Sequence, residues 1–128
     1  MPHPSAPEAL VQRQLDAYNA HDLDAWLATY AADAQQFEHP ALLLAAGHAQ
    51  IRARAAPRFT EPNLHARLLT RTVMGAVVID HEIVTRHLPE GPGTVELVCI
   101  YQVAHGLIQS ASFVFGTPVL DASATNTD

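Results

Sequence analysis

Tyr18-Asn19-Ala20-His21-Asp22-Leu23-Asp24 and, one apolar turn later, Tyr30-Ala31-Ala32-Asp33-Ala34-Gln35 decide how this chain folds. Read forward, they are the fading end of a helix, a break, a capped second helix and the approach to a strand. Asp22 suits an N-cap because its carboxylate can accept from the orphan amides of the first turn, and Asp24 stands well against the helix dipole. Leu23, Trp26, Leu27 and Tyr30 follow at i, i+3, i+4 and i+7, an amphipathic stripe. Residues 34–38 then predict a short strand closed by Pro40, with the Glu38 carboxylate at its end.

Upstream, Ser5-Ala6-Pro7-Glu8 fits a capping box, with Ser5 as N-cap and Glu8 reaching back. Leu10, Val11, Leu15 and Tyr18 fall on one face of the helix that follows. Downstream, Leu42, Leu43 and Leu44 carry no clear assignment. Gly47-His48 opens a third helix with Ile51 and Ala55 inward, and Pro57 is expected to end or kink it.

After Pro62 the period becomes two. Leu64, Ala66, Leu68, Thr70 and Thr72 alternate with His65, Arg67, Leu69, Arg71 and Val73. Met74-Gly75 reads as a turn, 76–86 as a strand rich in Val and Ile, and 89–93 as a loop. Residues 94–104 and 107–115 predict two more strands joined tightly through His105-Gly106. Helices first and meander strands last mean an α+β fold, a curved antiparallel sheet wrapped against three N-terminal helices. One domain is expected over 1–117, with 118–128 a flexible tail.

The composition narrows the function. A chain of 128 residues is one domain by length and can bury roughly two thirds of its unfolded surface. With 48% apolar and 16% charged residues it reads as a globular chain. Net charge is −6, with seven Lys and Arg and no basic run, which argues against nucleic-acid and anionic-membrane partners. No apolar run approaches ~20 residues. Met1-Pro2-His3-Pro4-Ser5 lacks a charged-then-apolar leader pattern. Cys99 is alone, which fits a reducing compartment, so a cytoplasmic location is expected. The eight histidines include no pair at a helical or strand metal-clamp spacing, so neither metal nor cofactor is expected.

Asn19-Ala20-His21-Asp22-Leu23-Asp24, Tyr30-Ala31-Ala32-Asp33-Ala34, Gly75-Ala76-Val77-Val78-Ile79-Asp80-His81-Glu82 and Ile100-Tyr101-Gln102-Val103-Ala104-His105-Gly106-Leu107-Ile108 resemble the ketosteroid-isomerase-like, SnoaL-like group of the nuclear transport factor 2 superfamily. The resemblance runs from about Glu8 to Phe115. It implies a cone-shaped sheet closed by helices around a pocket, and a homodimer. It also implies a general-base carboxylate at the end of the first strand, where Glu38 falls, or His39 if one insertion is allowed. The isomerase's two oxyanion donors correspond to Gln14 and Cys99 here, which disfavours steroid isomerisation itself.

These readings define the expected site. Glu38, His39 and His81 are candidate catalytic residues, and Gln14, Tyr18, Trp26, Tyr30, Phe37, Cys99, Tyr101 and Phe113 are candidate pocket walls. An even-length turn at Met74-Gly75 puts Leu64, Ala66, Leu68, Thr70, Val77, Ile79, His81 and Ile83 on one face, and His65, Arg67, Arg71, Asp80 and Glu82 on the other. His81 then looks into the pocket, while Arg71 with Asp80 or Glu82 is a surface pair worth ~0.2–1 kcal/mol. A slip of one residue would reverse the faces and bring Asp80 and Glu82 inside. The expected function is binding of a small apolar or amphipathic molecule, with cofactor-independent isomerase, dehydratase or hydrolase chemistry. The alternative is a non-catalytic binding module, or an assembly surface made by the polar face.

Overall fold

The caps form as their chemistry dictates. In the computed structural model, which describes residues 5–121, Ser5 Oγ accepts from the Glu8 amide at 3.2 Å and opens α1 (Ala6–Asn19). Asp22 accepts from the Ala25 amide at 3.0 Å and opens α2 (Leu23–Leu27). The second helix is shorter than its stripe predicts, because Tyr30 already starts strand β1 (Tyr30–Glu38), paired with Ile108. Its ring still packs on Trp26, with centroids 4.9 Å apart, so the stripe's fourth member is buried from a strand instead.

The leucine run becomes β2 (Leu42–Ala46). Helix α3 (Gly47–Phe59) runs two residues past Pro57, whose ring removes the amide hydrogen bond that position would give to the Ala53 carbonyl, and the helix ends within the same turn. Four long strands follow: β3 (His65–Met74), β4 (Val77–Leu88), β5 (Gly91–Ala104) and β6 (Leu107–Phe115). The expected loop at 89–93 shrinks to a turn, since Gly91, Pro92 and Gly93 extend β5. Gly93 has no room for a side chain: a Cβ there would lie 2.4 Å from the Val119 carbonyl of β7 (Val119–Leu120). Val119 and Leu120 therefore pair with Thr94 and Gly93 rather than belonging to a free tail, and 122–128 lie outside the described residues. His105 and Gly106 both take left-handed φ, 54° and 76°, the twist that a two-residue hairpin turn needs.

The sheet is curved and seven-stranded, in the order β2-β1-β6-β5-β4-β3, with β7 on β5. Only the β1–β6 pair is parallel among the described strands. Helix α3 covers β1 and β2, while α1 lies over β3, β4 and β6. Val11, Tyr30, Ile51, Leu64, Val78 and Ile108 fill the space between.

The stretch from Tyr18 to Asp24 ties the helices to the sheet. Asn19 works like an added strand on the free side of β3: its Nδ2 donates to the Ala66 carbonyl at 3.0 Å and its Oδ1 accepts from the Ala66 amide at 2.8 Å. His21, at φ 58°, donates from Nε2 to the Leu64 carbonyl at 2.6 Å. Asn19→Ala is expected to destabilise the fold by about 2 kcal/mol, because two half-buried backbone groups lose their partners. Urea unfolding measures this; a change under about 0.5 kcal/mol, the range of ordinary surface substitutions, would show that water replaces the amide.

One bulge reverses the expected strand faces. Leu68 pairs with Glu82 and Thr70 with His81, so Leu69 has no partner across β4. The extra residue shifts the alternation of β3. Ala66 and Leu68 face inward below the bulge, as expected, but Arg71 and Val73 face inward above it, opposite Asp80 and Val78. The inner residues of β4 are therefore Val78, Asp80, Glu82 and Val84. His81 lies on the outer face, where its Nε2 meets Glu96. The expectation that His81 looks inward is corrected on this ground, and so is the polar assembly face. Arg71, Asp80 and Glu82 are interior groups.

Candidate functional site

The helices and the inner sheet face leave a cavity of about 40 Å³. That is room for a few waters or a small organic group, far below the ~300–1,000 Å³ of a drug-sized pocket. Helix α1 contributes Gln14 and Tyr18, α2 Trp26, and β1 Tyr30 and Gln36. Arg54 and Arg58 come from α3, Glu82 from β4, Cys99 and Tyr101 from β5, and Phe113 from β6. Tyr18, Arg54, Arg58 and Leu97 are the partly exposed members of this lining, which places the mouth among α1, α3 and the Leu97 part of β5.

Glu82 is the carboxylate in this wall. It is 4% exposed, and its one hydrogen-bond contact among the described residues is the Cys99 thiol, which donates across 3.9 Å. Burial pushes its pKa up to about 7, with the Asp80 charge adding to the rise and Arg71 opposing it. Asp80, two residues earlier on the same face, is held quite differently. Arg71 grips it through Nε at 2.7 Å and Nη2 at 2.9 Å, and gives Nη1 to Gln12 at 2.9 Å. The two carboxylates share a strand and diverge in role, one locked in an ion pair and the other free to exchange a proton near neutrality.

Neutral polar groups share the cavity lining with Glu82. The Tyr30 hydroxyl and the Trp26 indole N–H are buried with no hydrogen-bond partner among the described residues, as is the Gln14 amide oxygen. Burial raises the pKa of Tyr30, and raises those of Tyr101 and Cys99 well above their ordinary values, so all three hold their protons. It pushes Tyr18 up to about 12. Buried donors left unpartnered are rare, and each calls for an acceptor such as a bound water or a ligand. Among the described residues, no three His, Cys, Asp or Glu side chains converge as a metal site. No described helix is long and apolar enough to cross a membrane.

The structure brings Gln14, Tyr18, Trp26, Tyr30, Cys99, Tyr101 and Phe113 together around the cavity. It does not bring Phe37, which pairs with Ser112 and points to the opposite face from Gln36. Glu38 shares the inner face, opposite Phe113, but lies two residues beyond Gln36 where the strand runs out, and it is exposed. His39 is exposed too; its backbone amide, not its ring, meets the Phe113 carbonyl, at 2.8 Å. None of the three residues singled out as catalytic lines the cavity. The sequence reading missed Gln36, Arg54, Arg58 and Glu82. A signal existed for Glu82: the apolar alternation of β3 changes phase between Leu68 and Val73. Arg54 and Arg58 share the helical face of Ile51 and Ala55, a spacing that marks them as inward.

A family model described as SnoaL-like domain matches residues 11–111. The chain belongs to this family. Several solved structures share the fold of this chain. One is an uncharacterised cystatin-fold protein from Novosphingobium aromaticivorans, with TM-score 0.77, 22% identity, and coverage of 88% of this chain and 99% of that one. A protein from Jannaschia, provisionally named a SnoaL-like polyketide cyclase, has TM-score 0.72 and 20% identity over 90% of this chain and 91% of its own. A protein from Kribbella flavida, provisionally named a ketosteroid isomerase, has TM-score 0.72 and 16% identity over 91% and 82%. At these identities the likeness concerns the fold. No curated protein matches the sequence.

Proposed function

We propose that this SnoaL-like protein binds a small carbonyl compound in its cavity and moves a proton at the carbon beside the carbonyl, with Glu82 as the general base. The observation that carries the reading is a buried carboxylate with a pKa near 7 facing a cavity lined by unpartnered donors. A base poised near the working pH combines a useful deprotonated fraction with real basicity. The structural neighbours named as a polyketide cyclase and a ketosteroid isomerase lend support, since both names denote reactions of carbonyl compounds.

The steps balance without a cofactor. Glu82 takes the proton from carbon, and the C–H electron pair moves into the carbon–carbon bond while the carbonyl pair moves to oxygen. The Tyr30 O–H and Trp26 N–H donate to the enolate oxygen, as preorganised donors do in low dielectric. Protonated Glu82 returns the proton to the same or a neighbouring carbon, giving exchange or isomerisation. Incubating short ketones and oxo acids in heavy water and following loss of the α-proton NMR signal tests this. The exchange rate is expected to rise about tenfold per pH unit below about pH 7 and to level off above it, because only ionised Glu82 accepts the proton. A rate independent of pH across that range removes Glu82 from the role. Binding with no exchange of any compound would support the non-catalytic module instead.

A further inference from the structure

We infer that the molecule this cavity accepts carries a carboxylate, which the Arg54 and Arg58 guanidiniums receive at the mouth; the inference rests on the proton-transfer reading for what happens at the other end. All seven cationic side chains of the protein are arginines. Arg52, Arg71 and Arg86 are paired, with Asp24 at 2.6 Å, Asp80 at 2.7 Å and Glu61 at 2.9 Å, and Arg13 and Arg67 are exposed. Arg54 and Arg58 alone are drawn partly under the surface without a carboxylate partner among the described residues.

Their spacing, i and i+4 on α3, sets both heads on the side of the helix that carries Ala55 to the cavity. Arg54 is oriented by giving Nη1 to the Gln36 amide oxygen at 3.0 Å and by lying over the Phe113 ring, 5.7 Å from its centroid. Arg58 keeps a buried Nε with no partner among the described residues. An oriented Arg54 and, four residues on, an Arg58 with donors to spare match the planar, two-oxygen geometry of a carboxylate. Burial and the adjacent Arg58 charge lower the pKa of Arg54, so an anion between the two heads relieves both effects.

The cavity also separates its ends. Glu82 stands on β4 beside Asp80 and its Arg71 partner, while Arg54 and Arg58 stand on α3. An anion bound at the mouth therefore leaves the base ready for a carbon deeper in. With about 40 Å³ available, the acid must be short, or its far end must lie outside.

The test compares isosteres on the unaltered protein. Propanoate and propanamide differ in charge and hardly at all in shape, and NMR titration gives both dissociation constants. Propanoate is expected to bind at least about tenfold more tightly, with the advantage lost in Arg54→Gln and Arg58→Gln and reduced at high salt. Equal binding of acid and amide overturns the inference, as does a propanoate affinity unmoved in both variants. The comparison on the unaltered protein decides even if a variant fails to fold. Exchange assays on 3-oxobutanoate and 3-oxobutanamide separate the two proposals. Equal exchange of acid and amide overturns the carboxylate site while leaving Glu82 as base. Preferential binding of acids with no exchange upholds the carboxylate site and removes the proton transfer.

Discussion

Glu82→Gln is expected to lower α-proton exchange by about 10²–10⁴-fold, the usual contribution of a positioned base, while making the protein more stable at alkaline pH. The stability gain follows from the sign of the shift. The folded-state pKa of Glu82 is raised from 4.5 to about 7, so the folded protein holds that proton more tightly than the unfolded chain. The associated stability is present below about pH 4.5 and is lost as pH rises through about 7. At about pH 8 the wild type carries a buried charge that glutamine lacks, and the variant is expected to gain about 3 kcal/mol. At about pH 4 the two proteins are expected to unfold alike. Urea titrations at both pH values check this. A variant less stable than wild type at pH 8 would mark Glu82 as a structural group. Glu38→Gln, at an exposed strand end, is expected to move stability little at either pH.

Arg71→Met is the second large effect. Asp80 has no exposed surface and its two oxygens are held by Arg71, whose side chain is 9% exposed. Removing the cation leaves a buried carboxylate uncompensated, and a loss of about 3–5 kcal/mol is expected at neutral pH. The paired variant Arg71→Met/Asp80→Leu is expected to recover most of it, since what costs stability is the unpaired charge rather than the missing ion pair. A loss below about 1 kcal/mol for Arg71→Met would instead describe a solvent-screened pair. The variant also carries a functional readout. Arg71 opposes the rise of the Glu82 pKa, so its removal is expected to move the midpoint of the exchange profile to higher pH.

Some of this molecule was legible residue by residue. Ser5 and Asp22 cap their helices, and His105-Gly106 makes its turn, because each depends on the chain within a few residues. Tyr18, Trp26, Tyr30, Tyr101 and Phe113 line the cavity as large side chains of a core do, whereas Gln14 and Cys99 were reached through the family resemblance. Phe37 and Glu38 show the limit: Glu38 was placed at the cavity by the family resemblance and Phe37 as an aromatic wall, yet Phe37 turns to the other face and Glu38 runs out to water.

His81 and Glu82 exchanged places for a single reason. One unpaired residue, Leu69, changes which face every later residue of β3 presents, and the alternation of β4 cannot say which of its faces lies inward until a partner is laid beside it.

Local chemistry written in the chain determined the order of helices and strands, their caps, the tight turn and the apolar stripes, since propensity and capping act over a few residues. Tertiary contact alone decided that Glu82, not Glu38, is the acid in the cavity wall, and that two arginines of α3 share that lining. Strand pairing and helix placement set the dielectric around a charge, and no short stretch of sequence contains the neighbours that create it.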